Sequence, residues 1–313
     1  MNKPLALRHF GKNLDIRVRG FLHLTYPRQL ASLRLLLASM SKSGFNSKLA
    51  HRMRKDRNPR LIEFADKFAV RKFVEEIVGS KYLPRLIFAG SDTREILELK
   101  LPNEFVVKPT HASNAGVLVG NSYSELLPKN HQNRGWQFFL TNYSILNRTD
   151  LVDLCNYWLS KDFFYEPFKF PEWAYRNIPP KIVIEELLVG WNSNVPVDYK
   201  FFVFNGEIKM IFVVTERFDG PKANLFDRDW NEIEGLYVYP RSNKVIEKPK
   251  YFEEMLNVSE ALGKDIDFVR VDLYSTIKGV KFSEMTIYPT AAMNKIRPRS
   301  LDKWLGKGWV QNY

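Results

Sequence analysis

The strongest candidate for chemistry in the sequence is a pair of carboxylates, Asp272 and Glu284, placed symmetrically about a turn. Residues 268–274 and 280–287 both read as β-strands. In a symmetric hairpin the two carboxylates face each other, with Cβ atoms about 4.5–5.5 Å apart. A divalent cation relieves the repulsion between them, and Mg²⁺ is commonly held this way beside phosphates. A second interpretation stays open, in which the strand face is exposed and Arg270 bridges both acids.

A lysine at the end of an apolar strand is the second candidate. Lys108 follows residues 105–107 and precedes Pro109, so its ammonium is either an edge charge or a point charge for phosphate. The small, polar segment 110–116 comes next, and its backbone N–H groups could cradle a phosphate. This motif is weak because it holds one glycine. His111 within it has a structural alternative as a hydrogen-bonded core residue.

Another predicted hairpin turns at Asn205–Gly206, a dipeptide typical of two-residue type I′ turns. Centring the hairpin there places Asp198, Lys200 and Phe202 on one face, with Lys209 opposite Phe202, while the other face is apolar. The polar face fits either a solvated ladder or a surface for ribose and phosphate.

Helices and strands alternate around these candidates, which predicts an α+β fold. Helices are expected at 61–78 and 251–262, strands at 85–89, 104–108 and 181–188, and mixed helices and loops across the aromatic segment 131–180. With 313 residues, 45% of them hydrophobic, the chain has room for about two lobes.

The sequence lacks the motifs of several enzyme classes. The sequence has no Walker lysine loop, dinucleotide-binding glycine motif, zinc-protease motif or serine-hydrolase elbow. The single cysteine, Cys155, lies on an apolar helix face, where a buried structural role is expected. No secretory signal or membrane-spanning run is evident, so we expect a cytoplasmic protein.

Charge is concentrated at one end of the chain. Residues 1–60 contain 14 Lys and Arg against two acids, which accounts for the whole net charge of +12. After Pro27, leucines recur at helical spacing. Either this segment binds an anionic surface, such as lipid headgroups, nucleic acid or an acidic polymer, or its leucines pack on the body of the protein.

Taken in order, the motifs resemble the ATP-grasp superfamily, and more closely its teichuronopeptide-biosynthesis (TupA-like) branch, found among capsule and cell-surface polysaccharide enzymes. The resemblance spans roughly residues 56–309. It rests on DRNP (56–59), ADKFAVR (65–71), VVKP (106–109), VIEELL (183–188), DYKFF (198–202), FNGE (204–207), FDRDW (226–230), FVRVDLY (268–274) and EMT (284–286). It implies two α+β lobes clasping ATP, at residues 61–190 and 191–313, preceded by a basic helical N-terminal extension at 1–60.

The resemblance also implies roles for individual residues. For ATP, it implies phosphate contacts from Lys67 and Lys108 with the loop residues His111 and Ser113, adenine contacts from Glu185, Glu186, Leu187 and Leu188, and a ribose contact from Asp198 beside Lys200. For Mg²⁺ it implies Asp272 and Glu284, with Thr286 standing where many ligases have an asparagine ligand. Arg270 would stabilise charge on the transferred phosphoryl group. An amine site is expected near Arg217, Arg297 and residues 289–292, where arginine suits the carboxylate of an amino acid.

The implied activity is that of an ATP- and Mg²⁺-dependent carboxylate–amine ligase working through an acylphosphate. The expected substrates are a uronic-acid carboxylate of a surface polysaccharide or its precursor, and an amino acid or other amine. A sugar kinase on the same fold is the first alternative, and a non-catalytic nucleic-acid-binding protein the second. The neutral body lacks a basic groove, so no nucleic-acid partner is expected. Residues 1–60 would make peripheral contact with anionic membrane or polysaccharide.

Overall fold

Residues 27–41, 43–129, 135–165, 171–191, 195–217 and 220–313 are described by the computed structural model. The helices are α1 (Pro27–Ser39), α2 (Phe45–Lys55), α3 (Arg60–Ala65), α4 (Val70–Val78), α5 (Glu95–Glu98), α6 (Arg148–Leu159), α7 (Phe252–Gly263) and α8 (Arg299–Lys307). Short 3₁₀ turns occur at Ser80–Tyr82, Phe163–Tyr165, Trp173–Asn177 and Pro289–Ala292. None of these helices is both long and apolar enough to cross a bilayer.

The first sheet has five strands in the order β1-β5-β2-β3-β4. They are β1 (Leu86–Gly90), β2 (Phe105–Pro109), β3 (Gly116–Val119), β4 (Phe138–Thr141) and β5 (Ile182–Glu186), antiparallel except for the parallel pair β3 and β4. This confirms the three predicted strands in this half, whereas β3 and β4 were not predicted. Helix α6 shares the core of this sheet, and Cys155 is fully buried there. Burial raises the pKa of its thiol, which fits the structural role.

The second sheet has six strands in the order β11-β10-β6-β7-β8-β9. They are β6 (Asp198–Phe204), β7 (Glu207–Thr215), β8 (Lys222–Phe226), β9 (Glu232–Ile233), β10 (Val269–Thr276) and β11 (Gly279–Thr286), all antiparallel. Helix α7 lies so close to this sheet that a Cβ on Gly263 would come within 2.3 Å of Val203. Glycine is therefore required where the helix ends.

Register in the second sheet confirms the predicted carboxylate pair. Asp272 lies opposite Glu284, and Arg270 lies opposite Thr286. The ladder closes at Thr276 and Gly279, and an irregularity between Asp272 and Leu273 shifts the pairing by one residue. Without this bulge Asp272 would face Ser283, so the bulge brings the two acids together.

A corresponding bulge makes one detail of the other predicted hairpin wrong. The turn lies at Asn205–Gly206 as predicted, since Phe204 pairs with Glu207. The register then shifts between Phe202 and Val203, so that Phe202 faces Met210 instead of Lys209. The extra residue in the bulged strand displaces the pairing by one position.

The predicted helix at 61–78 is also interrupted, at Asp66. Oδ1 of this residue accepts hydrogen bonds from the backbone N–H groups of Phe68 and Ala69, which competes with helix continuation. Helix α3 therefore ends at Ala65, and α4 starts at Val70. The loop between them carries Lys67, a residue that a continuous helix would have held on its surface.

Packing groups the chain differently from the predicted ranges 1–60, 61–190 and 191–313. The core around the second sheet includes buried residues of α2, α3 and α4, whereas the core around the first sheet runs from Phe88 to Ile184. The predicted N-terminal extension thus has its residues from Phe45 onward built into the second lobe. Helix α1 confirms the helix predicted after Pro27, while residues 1–26 lie outside the described part of the chain.

Arg52 of α2 joins this helix to the open end of the hairpin that carries the acids. Its buried guanidinium donates hydrogen bonds to the carbonyl oxygens of Phe268, at 2.8 Å, and Ile287, at 3.5 Å. It also pairs with Asp267 and lies 4.8 Å from the centre of the Trp309 ring. One cation therefore ties together the two strand ends that position the site.

Replacing Arg52 with Met is expected to destabilise the protein by about 3–5 kcal/mol, because it leaves buried partners without their charge. Urea unfolding of the two proteins measures the difference. Lys55→Met, at an exposed position on the same helix, is the control and is expected to change stability by less than about 0.5 kcal/mol. Equal stability of the Arg52 and Lys55 variants would contradict this role.

Candidate functional site

A cavity of about 430 Å³ lies between the two sheets, and both lobes line it. This volume lies within the range of about 300–1,000 Å³ that is usual for small-molecule sites. Its wall combines apolar and aromatic side chains with charged groups. The charged residues are Lys67, Lys108, Glu172, Glu185, Glu186, Asp198, Lys200, Arg217, Arg270, Asp272 and Glu284.

The second sheet supplies one continuous network of charges. Because β6 pairs with β10 and β10 with β11, Lys200 lies opposite Asp272, which in turn lies opposite Glu284. Lys200 Nζ is 2.6 Å from Asp272 Oδ2. Arg270 donates from Nε and Nη2 to the two oxygens of Asp272 at 2.7 and 2.6 Å, and from Nη2 to Glu284 Oε1 at 3.0 Å. Cross-strand register therefore creates an alternating array of cations and anions.

The two interpretations of the acid pair both describe part of this arrangement. Arg270 does bridge Asp272 and Glu284, as the structural alternative required. The face is not exposed, however, since Asp272 and Arg270 are buried in the cavity wall. Burial opposes ionisation of Glu284, but Arg270, Lys67 and Lys200 outweigh it and hold the pKa of this carboxyl well below its usual range. Glu284 is therefore a carboxylate at neutral pH.

Asp198 continues the network at its other end. Its Oδ2 is 2.8 Å from Arg217 Nη1 and 3.4 Å from Lys200 Nζ. Burial alone would raise the pKa of Asp198, but these two cations lower it. Its Oδ1 is buried without a hydrogen-bond partner in the described structure. An unpaired buried acceptor is costly, and a ligand hydroxyl would satisfy it.

Arg217 connects the two lobes across this end of the cavity. Besides Asp198, it donates to the hydroxyl of Tyr274 at 3.1 Å. Its guanidinium lies 5.5 Å from the ring centre of Phe138, which belongs to the first sheet. Arg217 thus contacts β10 and β4 at the same time.

A smaller group of charges lies around Glu185 of the first sheet. Lys108 Nζ is 2.8 Å from Glu185 Oε2, and Arg71 Nη1 is 2.5 Å from Glu185 Oε1. Lys67 donates to the carbonyl oxygen of Ala112. Burial is the main cause that lowers the pKa of Lys67. Two lysines from separate elements, the strand β2 and the loop between α3 and α4, therefore reach the cavity.

A direct link between the lobes lies beside this group. Glu186 Oε1 accepts from the backbone N–H of Arg85, and its Oε2 accepts from Lys278 Nζ at 2.9 Å. Lys278 belongs to the turn of the hairpin that carries the acids. The segment 185–188 therefore fixes the first sheet relative to the second.

Almost all of the residues expected from the sequence line this cavity. They are Lys67, Lys108, Ser113, Glu185, Glu186, Leu187, Leu188, Asp198, Lys200, Arg217, Arg270, Asp272, Glu284 and Thr286. Among the residues expected to contact ATP or Mg²⁺, His111 is the exception, because its Nε2 lies 3.1 Å from the carbonyl oxygen of Trp158 in the interior of the first lobe. The expected phosphate contact by His111 is therefore not supported, and its structural alternative is the better description.

The expected amine site is only partly assembled. Arg217, Thr290 and Ala291 line the cavity, but Arg297 is not part of its wall. The backbone of Arg297 pairs with that of Leu236 instead. Three consecutive residues from Thr290 to Ala292 have positive φ values of 53°, 48° and 58°. Such strain in non-glycine residues is concentrated at functional sites, so this loop is a plausible place for a substrate contact.

Three residues of the site were not predicted from the sequence. Glu172 is a buried acid of the cavity wall, Tyr274 holds Arg217, and Arg71 pairs with Glu185. Arg71 lies four residues after Lys67 in the ADKFAVR motif, which could have signalled its role. Glu172 follows the segment 166–170, outside the described residues, and stands in no recognisable pattern.

The carboxylates of the cavity suit Mg²⁺ better than a metal ion that needs all of its ligands from the protein. Within the described ranges, no group of three or more His, Cys, Asp or Glu could hold a metal ion alone. Two carboxylates facing a cavity lined with cations match the usual magnesium site, in which waters and substrate phosphates complete the coordination. Asp272 and Glu284 therefore fit this ion, and the hydroxyl of Thr286, 3.0 Å from Glu284 Oε1, lies beside them.

Comparison with solved structures finds ligases at low identity. D-alanine–D-alanine ligase from Bacillus anthracis is 15% identical over 72% of this chain and 57% of that chain, with a TM-score of 0.36. VanG D-Ala:D-Ser ligase from Enterococcus faecalis is 13% identical over 72% and 52%, with a TM-score of 0.38. Phosphoribosylamine–glycine ligase from Thermotoga maritima is 9% identical over 75% and 52%, with a TM-score of 0.42. The chain thus spans about half the length of these proteins.

No curated protein matches the sequence. The family model described as TupA-like ATPgrasp matches residues 47–310, which include both sheets and every residue named in the cavity wall. This match confirms the resemblance found in the motifs and the two-lobed α+β fold that it implied. The chain belongs to the TupA-like ATP-grasp family.

Proposed function

We propose that this protein is an ATP- and Mg²⁺-dependent ligase that joins a carboxylate to an amine through an acylphosphate. The observation that carries the proposal is the charge network along β6, β10 and β11, which shares one cavity with Lys67 and Lys108. Phosphoryl transfer needs positioning and electrostatic stabilisation more than covalent help from the protein. Such an array of fixed charges supplies both.

The cations of the cavity would have different tasks. Lys67, from the loop between α3 and α4, and Lys108, from the first sheet, would hold the phosphates of ATP as point charges. Arg270, already anchored by Asp272, would stabilise the charge that develops on the transferred phosphoryl group. Mg²⁺, bound by Asp272 and Glu284, would neutralise charge on the phosphate oxygens.

The nucleoside would occupy the part of the cavity between residues 185–188 and Asp198. Backbone groups of this segment border the cavity beside Leu118 and Val106, which offer an apolar wall to a base. The unpartnered Oδ1 of Asp198 is ready to accept a hydrogen bond from a ribose hydroxyl. This hydrogen bond would satisfy the buried carboxylate of Asp198 when the nucleotide is bound.

The reaction follows from carboxylate activation. A carboxylate oxygen of the acceptor attacks the γ-phosphorus of ATP, the bond to the bridging oxygen breaks, and ADP leaves. The amine then attacks the acyl carbon, phosphate leaves, and the nitrogen loses a proton, giving an amide. For the acceptor we propose a uronic-acid carboxylate of a surface or capsular polysaccharide or its precursor, and for the amine an amino acid or amino alcohol. This substrate class rests on the family resemblance.

Trapping with hydroxylamine tests the ligase against a sugar kinase. We expect ADP and inorganic phosphate to be released from ATP only with Mg²⁺, a uronic-acid acceptor and an amine. Hydroxylamine should replace the amine and leave a hydroxamate on the sugar carboxylate, which mass spectrometry detects. An acceptor whose carboxylate is reduced to an alcohol is the matched control and should give no hydroxamate. Transfer of the γ-phosphate to a sugar hydroxyl, without free phosphate, would instead establish the kinase.

A further inference from the structure

Helix α1 presents an apolar stripe to solvent. Leu33, Leu36 and Leu37 of this helix, and Met40 just after it, are 51%, 38%, 60% and 69% exposed. Their spacing places them on one helical face. The sequence allowed these leucines to pack on the body of the protein, but the structure buries Leu35 instead, on the opposite side.

The opposite side of α1 is held firmly in place. Leu35 belongs to the core around the second sheet. The hydroxyl of Ser39 donates to the carbonyl oxygen of Leu36 at 2.7 Å and accepts a hydrogen bond from Arg54 of α2, also at 2.7 Å. These contacts determine which side of α1 faces the protein, and the leucine stripe lies on the other side.

Helix α8 packs against α2, the neighbour of α1, and carries a second exposed face. It buries Leu301 and Leu305, while Trp304 is 47% exposed. The other exposed residues of α8 are Ser300 and three cations, Arg299, Lys303 and Lys307. The one acid of α8, Asp302, accepts from the backbone N–H of Asn46. Tryptophan among cations is typical of surfaces that enter the headgroup region of a bilayer.

Close backbone contacts hold α8 against the turn that precedes α2. A Cβ on Gly306 of α8 would lie 2.7 Å from the carbonyl carbon of Gly44, and a Cβ on Gly44 would overlap the carboxylate of Asp302. Gly306 and Asp302 lie on the side of α8 opposite Trp304. This contact therefore fixes α8 beside the turn and leaves Trp304 and the cations of α8 exposed.

Charge indicates what this surface binds. Residues 27–60 contain nine Lys and Arg against one acid. That acid, Asp56, is buried and lies 3.5 Å from the buried Arg52. Among the described side chains of this range, the exposed cations are Arg34, Lys55, Arg57 and Arg60. An acidic polysaccharide would use the cations but has no use for exposed leucines, whereas an anionic bilayer accommodates both. The occupant favoured by these observations is therefore a lipid surface.

We propose that Leu33, Leu36, Leu37 and Met40, with the exposed cations of α1, α2 and α8, form a docking surface for anionic lipid bilayers. Helix α1 would lie in the plane of the headgroups, with its stripe inserted among them. The docking surface also lies close to the cavity, since Asn46 Nδ2 donates at 2.8 Å to the carbonyl oxygen of Asn294, a residue of the cavity wall. Docking would hold the cavity near the membrane whichever reaction it performs.

Vesicle flotation of the full-length protein tests the docking surface. We expect it to float with vesicles containing phosphatidylglycerol, to float much less with pure phosphatidylcholine, and to be released as salt increases. The double variant Leu37→Glu/Met40→Glu should bind the anionic vesicles at least about tenfold more weakly, because it places two anions in the apolar stripe. Val245→Glu, at a position that is 86% exposed elsewhere on the surface, is the matched control and should float like the unchanged protein.

Circular dichroism and thermal unfolding establish that the double variant is folded, which is expected because both positions are exposed. Flotation of that variant equal to the unchanged protein would overturn the proposal, and so would a lack of flotation by the unchanged protein. Retention on a soluble acidic polysaccharide without vesicle binding would assign the surface to a polymer instead. Concentration-dependent dimerisation that the double variant abolishes, without lipid binding, would assign it to a second copy of the chain.

Discussion

Replacing Glu284 with Gln is expected to lower the rate of ATP-dependent phosphate release by about 10²–10³-fold or more, with the fold unchanged. The amide keeps the size and the hydrogen bonds with Thr286 and Arg270, but it removes the negative charge that a cation needs beside Asp272. Losses of this order are typical when one transition-state contact is removed. Asp272→Asn should act in the same way. Steady-state phosphate release at saturating Mg²⁺ measures the effect, and thermal unfolding verifies the fold.

Glu207→Gln is the matched control for this substitution. Glu207 lies on the same sheet, is exposed, and pairs with Lys209 outside the cavity. The control should therefore retain full activity and the same dependence on Mg²⁺ concentration. Full turnover by Glu284→Gln in the presence of Mg²⁺ would exclude Glu284 as a metal ligand and leave its pairing with Arg270 as a structural feature.

The acid pair could be predicted from the sequence because a hairpin converts spacing along the chain into spatial proximity. Its success also depended on a feature that the sequence does not reveal. The turn and the acid pair are not centred on the same point, and the bulge beside Leu273 compensates for the difference. The same kind of bulge beside Val203 made the expected pairing of Phe202 wrong. Hairpin spacing therefore predicts partners only to within one residue.

The place of Lys67 could not be derived from hydrophobic periodicity. Apolar residues continue at helical spacing from α3 into α4, which predicted one helix across residues 61–78. The side chain of Asp66 decides otherwise by accepting backbone N–H groups that the helix would have used. Only the family resemblance pointed to Lys67, and the helix break explains how its side chain reaches the cavity.

For His111 and for the leucines of α1, the sequence showed a pattern but not where the side chains lie in the fold. His111 stands in a loop with the composition of a phosphate site, yet packing against Trp158 and Trp136 places it in the core of the first lobe. In α1, helical spacing identified a stripe but not whether protein or solvent would face it. Both outcomes depend on tertiary contacts between segments far apart in sequence, which local patterns do not specify.

Replacing Lys108 with Met is expected to reduce the rate of phosphate release by about 10²–10³-fold, because it removes a cation that lines the cavity opposite the acid pair. The fold should persist, since Glu185 keeps its second partner, Arg71. Kinetics at varied ATP concentration separate a weaker nucleotide site, seen as a raised KM, from lost stabilisation of the transition state, seen as a lowered kcat.

Arg71→Met distinguishes phosphate binding from support of Glu185. Arg71 contacts the same carboxylate as Lys108 but is not part of the cavity wall, so its loss should disturb Glu185 without removing a phosphate contact. If Lys108 binds phosphate, its variant must lose far more activity than Arg71→Met. Equal losses in the two variants would show that Lys108 acts only by holding Glu185. In that case Lys67 would remain as the lysine of the cavity wall proposed to bind phosphate.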